Sequence, residues 1–224
     1  MLSQQEAGHL TSIKPRMRRK DARPGELIQA ALEVFVERGY AGARLEDIAG
    51  QAGVTKGTVY RYFRNKQDLF EAVVHATLGA LIHRGRAVLR EFEGPSIELL
   101  DQVVTAWWQG VVMTKASALP KLMFSEAGNF PALARFYYEH VIEPGRWLQR
   151  RILERGIARG EFRRVDVDCY VHFIIGPLLY VQCWDHSFAC VVPGTQLCDQ
   201  RFLGAFLEHL HATLLVESGT ERLA

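Results

Sequence analysis

Ala52-Gly53-Val54-Thr55-Lys56-Gly57-Thr58-Val59-Tyr60-Arg61-Tyr62-Phe63-Arg64-Asn65-Lys66-Gln67-Asp68-Leu69 is the stretch that decides the fold. Thr55 is a good helix N-cap, its hydroxyl able to accept from the free backbone N–H groups one turn on. Val59 and Phe63 follow one turn apart on an inward face, which leaves Lys56, Gly57, Thr58, Tyr60 and Arg61 facing out. Asn65 is placed to cap the next helix. Just upstream, Leu45, Ile48, Ala49 and Ala52 fall on one side of a short helix over Leu45 to Ala52, which Gly53 ends. Two short helices joined through a glycine, the second with a polar and aromatic outer face, predict a helix-turn-helix whose second helix is sized for the major groove of B-DNA.

Outward from this core the pattern stays helical. Leu27, Ala30, Ala31, Val34 and Phe35 recur at three- and four-residue steps from Pro24, and Gly39 supplies a left-handed stop. Before Pro24, Lys14, Arg16, Arg18, Arg19, Lys20 and Arg23 form a basic arm that attracts polyanions, or is simply a solvated tail. Beyond Phe70 one helix runs on to about Phe92 and breaks at Gly94-Pro95. Further helices are expected over Ser96 to Met113, Pro120 to Ala127, Pro131 to Arg159 with an interruption at Pro144-Gly145, Asp166 to Trp184, and Asp199 to Val216. No internal repeat or strand alternation intervenes, so the expected fold is all-α.

The run from Gly39-Tyr40 through Asp47-Ile48-Ala49 to Leu69 resembles the DNA-binding domain of the tetracycline-repressor (TetR) family over Pro24 to about Val74. That resemblance implies an all-helical homodimer: a basic arm over 1–23, a three-helix DNA-binding domain over 24–70, and a larger helical effector-binding and dimerisation domain over 71–224. Carried over position by position, Lys56, Gly57, Thr58 and Tyr60 match recognition-helix positions that reach bases or nearby backbone, Arg61 is a further candidate, and Tyr62 and Lys66 match phosphate-contacting positions. The chemistry agrees. Thr55 caps the recognition helix, Gly57 lets its backbone approach the duplex, Thr58 can touch a thymine methyl, and Arg61 can read guanine bidentately. Lys66 stands at a helix start that also favours phosphate. One departure is Ala43-Arg44, where the family commonly has a Thr or Ser pair. The hydroxyl cap is lost there, and Arg44 can replace only the phosphate contact, by charge.

The last two helices carry broad apolar faces, and the resemblance implies that such a pair meets its symmetry mate as a four-helix bundle. Ile174, Leu178, Val181, Phe202, Phe206 and Leu210 are the expected dimer-interface residues; the other reading is that these faces close the subunit's own core. Aromatics crowd the middle helices. Trp107, Phe124, Phe173 and Tyr180 are the expected lining of an apolar effector pocket, with His140, His172, Gln182, Cys183 and Asp185 as polar groups able to orient a ligand.

The 224 residues are 48% apolar and 23% charged with a net charge of +2, which is ordinary globular composition. No run approaches the apolar length of a membrane helix and the first twenty residues lack a secretory h-region, so a cytoplasmic protein with no membrane partner is expected. Cys169, Cys183, Cys190 and Cys198 have no disulfide-framework spacing; Cys190 and Cys198 are either a reversible redox pair or packers and loop thiols. No nucleophile elbow, phosphate loop, dinucleotide fingerprint or His-Glu-x-x-His helix is present. His209 and His211, two residues apart on a helix, point in nearly opposite directions. No enzyme activity, metal or cofactor is therefore expected. The sequence reads as a DNA-binding transcriptional regulator, a repressor that binds a palindromic operator on double-stranded DNA as a dimer and is released by a small hydrophobic effector. The competing readings are an effector-independent architectural DNA binder and a helical protein-interaction adaptor.

Overall fold

The structure, a computed structural model, describes residues 24–216. The basic arm over 1–23 lies outside the described residues. Four helices open the fold: α1 (Pro24–Gly42), α2 (Leu45–Gln51), α3 (Lys56–Tyr62) and α4 (Lys66–Val74). A π-helical turn (His75–Gly79) leads into α5 (Ala80–Glu91), followed by α6 (Ser96–Trp107), a second π turn (Trp108–Val112), α7 (Ala118–Glu126) and α8 (Pro131–Tyr137). A third π turn (Tyr138–Ile142) precedes α9 (Glu143–Ala158), and α10 (Val167–Asp185) and α11 (Gln200–Leu214) complete the chain. The only extended pairing among the described residues is an isolated bridge between Phe162 and Leu215, so the fold is all-α.

The local signals act as the sequence suggests. The side chains of Thr55, Asn65, Asp166 and Asp199 each accept from a backbone N–H inside the helix they precede, which satisfies one of the donors a helix start leaves open. Gly39 and Gly53 both sit at φ +70°, a conformation that a residue with a Cβ resists; Gly39 kinks α1 one turn before its end, and Gly53 sets the turn between α2 and α3. Arg44 occupies the N-cap of α2 and makes no side-chain cap bond, as expected from the missing hydroxyl. The break expected at Pro144-Gly145 is absent. Pro144 falls in the first turn of α9, and the helix widens into a π turn just before it instead of breaking.

Two apolar cores result. The first gathers Leu27, Phe35, Ile48, Val59, Leu69 and Phe70 from the N-terminal helices, but it does not close at Phe70; it continues through Leu78 into Leu119, Leu122 and Tyr137 of α7 and α8. The second joins α6, α9, α10 and α11 through Leu100, Trp108, Ile152, Ile174 and Phe206. Trp107 packs against both. Within the first core, polar links tie the N-terminal helices to α7 and the segment before it: Lys115 Nζ lies 2.6 Å from Glu33 Oε1 on α1, Gln51 Nε2 donates to Glu33 Oε2 at 2.5 Å, and Ala41 N donates to Glu126 Oε1 at 3.3 Å. These bonds pull Glu33 down to a pKa of about 2, with the Lys115 contact the largest cause.

Candidate nucleic-acid interface and effector cavity

The helix-turn-helix is positioned from below. Ile48 and Ala49 of α2 and Val54 of the turn are buried with Val59, so α3 is seated on the first core by one apolar stripe. Lys56, Gly57, Tyr60, Arg61 and Tyr62 are exposed on its other side. Lys56 forms an ion pair with Glu46 of α2 and sits 5.6 Å from the Tyr60 ring centroid; Glu46 is held below the usual carboxylate range by that lysine. A phosphate would compete with Glu46 for the same ammonium. Arg61 donates to the Tyr62 hydroxyl at 2.9 Å and stacks over its ring. A Cβ on Gly57 would meet only Thr55 Oγ1, at 3.9 Å, so no internal packing demands glycine here and the open side faces out. Arg44 is exposed in the loop that enters α2.

Two expected contacts are corrected. Thr58 does not face out: it is 8% exposed, and its hydroxyl lies 3.0 Å from that of Thr55, so the two threonines close the start of α3 between them. Lys66 is also taken. Its ammonium donates to the carbonyls of Tyr40 (2.6 Å), Ala41 (3.2 Å) and Ala43 (3.0 Å), and it lies 4.5 Å from the Tyr40 ring centroid. All three N–H groups are used on the last carbonyls of α1 and the loop after it, a site that a helix C-terminus makes favourable for a cation. Partial burial lowers its pKa below the usual lysine value.

At the seam between the two cores lies a cavity of about 730 Å³, mostly apolar, bounded by α5, α6, α9 and α10 and closed at the end nearer the DNA-binding helices by Pro120, Tyr137 and Val141. Trp107 and Phe124 line it, as expected. Phe173 and Tyr180 do not: they are 64% and 54% exposed on the opposite side of α10. Of the expected polar groups, His172 and Gln182 border the cavity. His140 instead stacks on Phe136 at 4.4 Å beside His75, and Asp185 accepts the backbone N–H groups of Leu197 and Cys198. Arg84, Gln102, Tyr137, Arg146 and Gln149 also reach the cavity. Tyr137 is one of the middle-helix aromatics from which a cavity lining was expected, whereas Arg84, Gln102, Arg146 and Gln149 carry no signal in the sequence because their apolar neighbours dominate the helical pattern. Burial keeps the Tyr137 phenol well above the ordinary tyrosine range, hence protonated.

The expected dimer residues lie inside. Ile174, Leu178, Val181, Phe206 and Leu210 are buried in the subunit's own second core, and Phe202 stacks on Trp108 with ring centroids 5.8 Å apart. The exposed side of this helix pair is a different one, with Phe173, Gly176 and Tyr180 on α10 and Ala205, Glu208 and Ala212 on α11. Tyr180 continues into Trp184 and Phe188 as a tilted aromatic row. Among the described residues no helix is long and apolar enough to cross a membrane.

Residues 27–73 match the family model described as bacterial regulatory proteins, tetR family, and residues 93–187 match the tetracyclin repressor-like C-terminal domain. The HTH-type transcriptional repressor KstR2 of Mycobacterium tuberculosis is 30% identical over 159 residues, 69% of this chain and 76% of that protein. The HTH-type transcriptional activator FasR of Mycolicibacterium smegmatis is 42% identical over 71 residues, 32% of each chain. Among solved structures, the ketosteroid transcriptional regulator KstR2 of M. tuberculosis superposes with a TM-score of 0.68 at 25% identity, covering 89% of this chain and 98% of that one. FadR of Bacillus subtilis in complex with stearoyl-CoA shares the fold, with a TM-score of 0.66 at 23% identity over 84% and 97% of the two chains.

Proposed function

Because this chain belongs to the TetR family and is a DNA-binding transcriptional regulator, we propose that it is a dimeric repressor of a palindromic operator and that an apolar molecule entering the cavity releases it. The observation that carries the DNA half is the seat of α3. Buried Val59 and the Thr55–Thr58 pair fix the helix, while Lys56, Gly57, Tyr60 and Arg61 turn outward. In this reading Tyr60 and Arg61 meet base edges, and Lys56, Tyr62 and Arg44 meet phosphates. Thr55 and Thr58 hold the helix start, and Lys66 positions α4 against α1.

A single seven-residue recognition helix reads too few bases for a genome, so two are needed, about one helical turn of DNA apart or a multiple of it. The exposed Phe173, Gly176 and Tyr180 of α10 and Ala205 and Ala212 of α11 supply an apolar, close-approach face for a second copy. The position of the cavity supports the release step. It separates the core that holds the DNA-binding helices from the core of α10 and α11, so a molecule that widens the seam changes the spacing between the two recognition helices. The effector then acts only through its different affinity for the two spacings. The similarity to the repressor KstR2, a ketosteroid transcriptional regulator, is consistent with an apolar effector.

Selection of bound duplexes from a random pool, followed by titration of the enriched duplex against a panel of apolar compounds, tests the proposal. A palindromic site that one compound releases is the expected result. No enriched site would remove the operator reading, and an enriched site that no compound releases, with no compound bound, would remove the effector reading and leave an architectural DNA binder.

A further inference from the structure

The cavity is apolar along its length but not at its ends. On α10, His172 and Gln182 both border it, ten residues apart, which is about 15 Å of helix rise. Close contacts fix what faces each end. Arg150 pairs with Asp168 at 2.6 Å, which places the neighbouring Gln149 at the His172 end; the positions of Gly85 and Leu148, in tight contact, lie along the same wall. At the other end Tyr137 closes the cavity beside Gln182, on the side of the DNA-binding helices.

Each end holds a polar atom that the protein leaves unpaired. Gln182 is 2% exposed; its Nε2 donates to the Leu178 carbonyl, which fixes the amide orientation, and its Oε1 has no partner. Toward the far end, Arg146 Nε and Gln149 Oε1 are buried without a partner, and neither Arg84 nor Arg146 pairs with a carboxylate among the described residues. Leaving buried donors and acceptors unmade is unfavourable in a folded protein, so several of them around one cavity point to partners that arrive with a ligand.

We infer that the effector is two-ended: an elongated apolar skeleton with a carboxylate at one end, held by Arg146 and Arg84, and a hydroxyl at the other, donating to Gln182 Oε1 beside the Tyr137 hydroxyl. The guanidinium suits an anionic, planar acceptor. A lone carbonyl acceptor such as Gln182 Oε1 suits a donor and discriminates against a skeleton that ends in a methyl group. The Gln149 amide turns to offer either of its groups to the carboxylate or to a water beside it. This inference rests on the effector reading above and narrows it from apolar molecules in general to hydroxylated apolar acids.

The test uses three probes on one skeleton, dodecanoic acid, dodecanol and ω-hydroxydodecanoic acid, whose chain is long enough to bridge the two ends. Binding to the full-length protein is followed by calorimetry and by tryptophan fluorescence, to which Trp107 at the cavity wall contributes. The hydroxy acid is expected to bind at least ten-fold tighter than either single-ended probe. In Gln182→Leu that advantage over dodecanoic acid should vanish while dodecanoic acid itself binds as before. In Arg146→Met both acids should weaken and dodecanol should not. Gln182→Leu should melt no lower than the parent, because it removes an unpaired buried carbonyl. Three probes of equal affinity, each releasing the selected operator, would overturn the two-ended site and leave the effector reading intact. No binding by any probe, together with an Ala106→Trp variant that fills the cavity mouth without altering release by any compound of the panel, would overturn both. A Gln182→Leu protein that melts well below the parent would make the glutamine a structural group and would also overturn the assignment.

Discussion

Lys66→Met removes the ammonium that holds the end of α1 to the start of α4 and keeps most of the aliphatic stem. Three carbonyls lose their donor, those of Tyr40, Ala41 and Ala43, at 2.6, 3.2 and 3.0 Å. The three bonds share one charge, so they amount to nearer one strong interaction than three; a hydrogen bond from a charged group contributes about 1.5–3 kcal/mol net. A cation at a helix C-terminus adds about 0.3–1 kcal/mol. Ala41 is exposed, so its carbonyl regains water, and the expected loss is about 2–3 kcal/mol in all. For a chain of this size that lowers Tm by about 4–12 °C. Calorimetry reads the melting temperature, and operator titration at several salt concentrations, well below melting, tells an internal staple from a phosphate contact. A staple leaves the log–log slope of affinity against salt unchanged, whereas a phosphate contact would flatten it by about one per subunit. An unchanged Tm with a flattened slope would refute the assignment and return Lys66 to the DNA backbone.

Tyr60→Ala should weaken binding to the selected operator at least ten-fold while leaving binding to random duplex and the oligomeric mass unaltered; equal losses on both duplexes would deny it a base-reading role. Gly156→Ala places a Cβ 2.1 Å from the Phe162 ring, where α9 meets the turn at Gly160, and should destabilise the fold by about 1–3 kcal/mol in chemical denaturation. The Glu33 carboxylate is bound more tightly in its charged form when folded, with its pKa lowered to about 2 from 4.5, so the stability it contributes is present above about pH 4.5 and is lost as pH falls toward 2. In Lys115→Met that acid-limb loss should shrink, as followed by melting temperature across the same pH window.

What could be read from the sequence was whatever is decided within a turn or two of helix. Gly39 and Gly53 mark their breaks, and Thr55 and Asn65 cap the helices they precede, because each acts on backbone a few residues away. The outward face of α3 was legible for Lys56, Gly57, Tyr60 and Arg61, and failed at Thr58. In a helix of seven residues the Thr55 hydroxyl draws its neighbour inward more strongly than periodicity places it outward. The internal partners of Lys66 were hidden for a different reason: they lie 23 to 26 residues back, and only the packing of α1 against α4 brings them near. On α10 both sides are apolar, so the pattern has no polar face to orient it. Ile174, Leu178 and Val181 turned inward and Phe173 and Tyr180 outward, so the expected interface residues close the subunit's own core and a different side of the helix is left exposed. The cavity shares this limit, since Gln182 and Tyr137 come together only across α8 and α10.

The three π turns each contain one residue more than an α-helical turn, taken up as a local bulge while the helices on either side keep their facing. In the history of the gene they therefore mark positions that tolerate insertion and deletion inside otherwise continuous helices. Removing Ala76 from the first turn should restore a plain α-helical turn and leave α4 and α5 aimed as they are. Removing Arg151 from the regular middle of α9 rotates every later side chain of that helix by about 100° and pulls Ile152 and Leu153 out of the second core. A comparison of the melting temperatures of the two deletions measures the difference, and equal losses would show that the bulges are not spare length. Two of these turns meet the cavity at Gly110 and Val141, and the third joins α4 to α5, so the places where this chain can change length are also those where the wall of the cavity and its link to the DNA-binding helices can change shape.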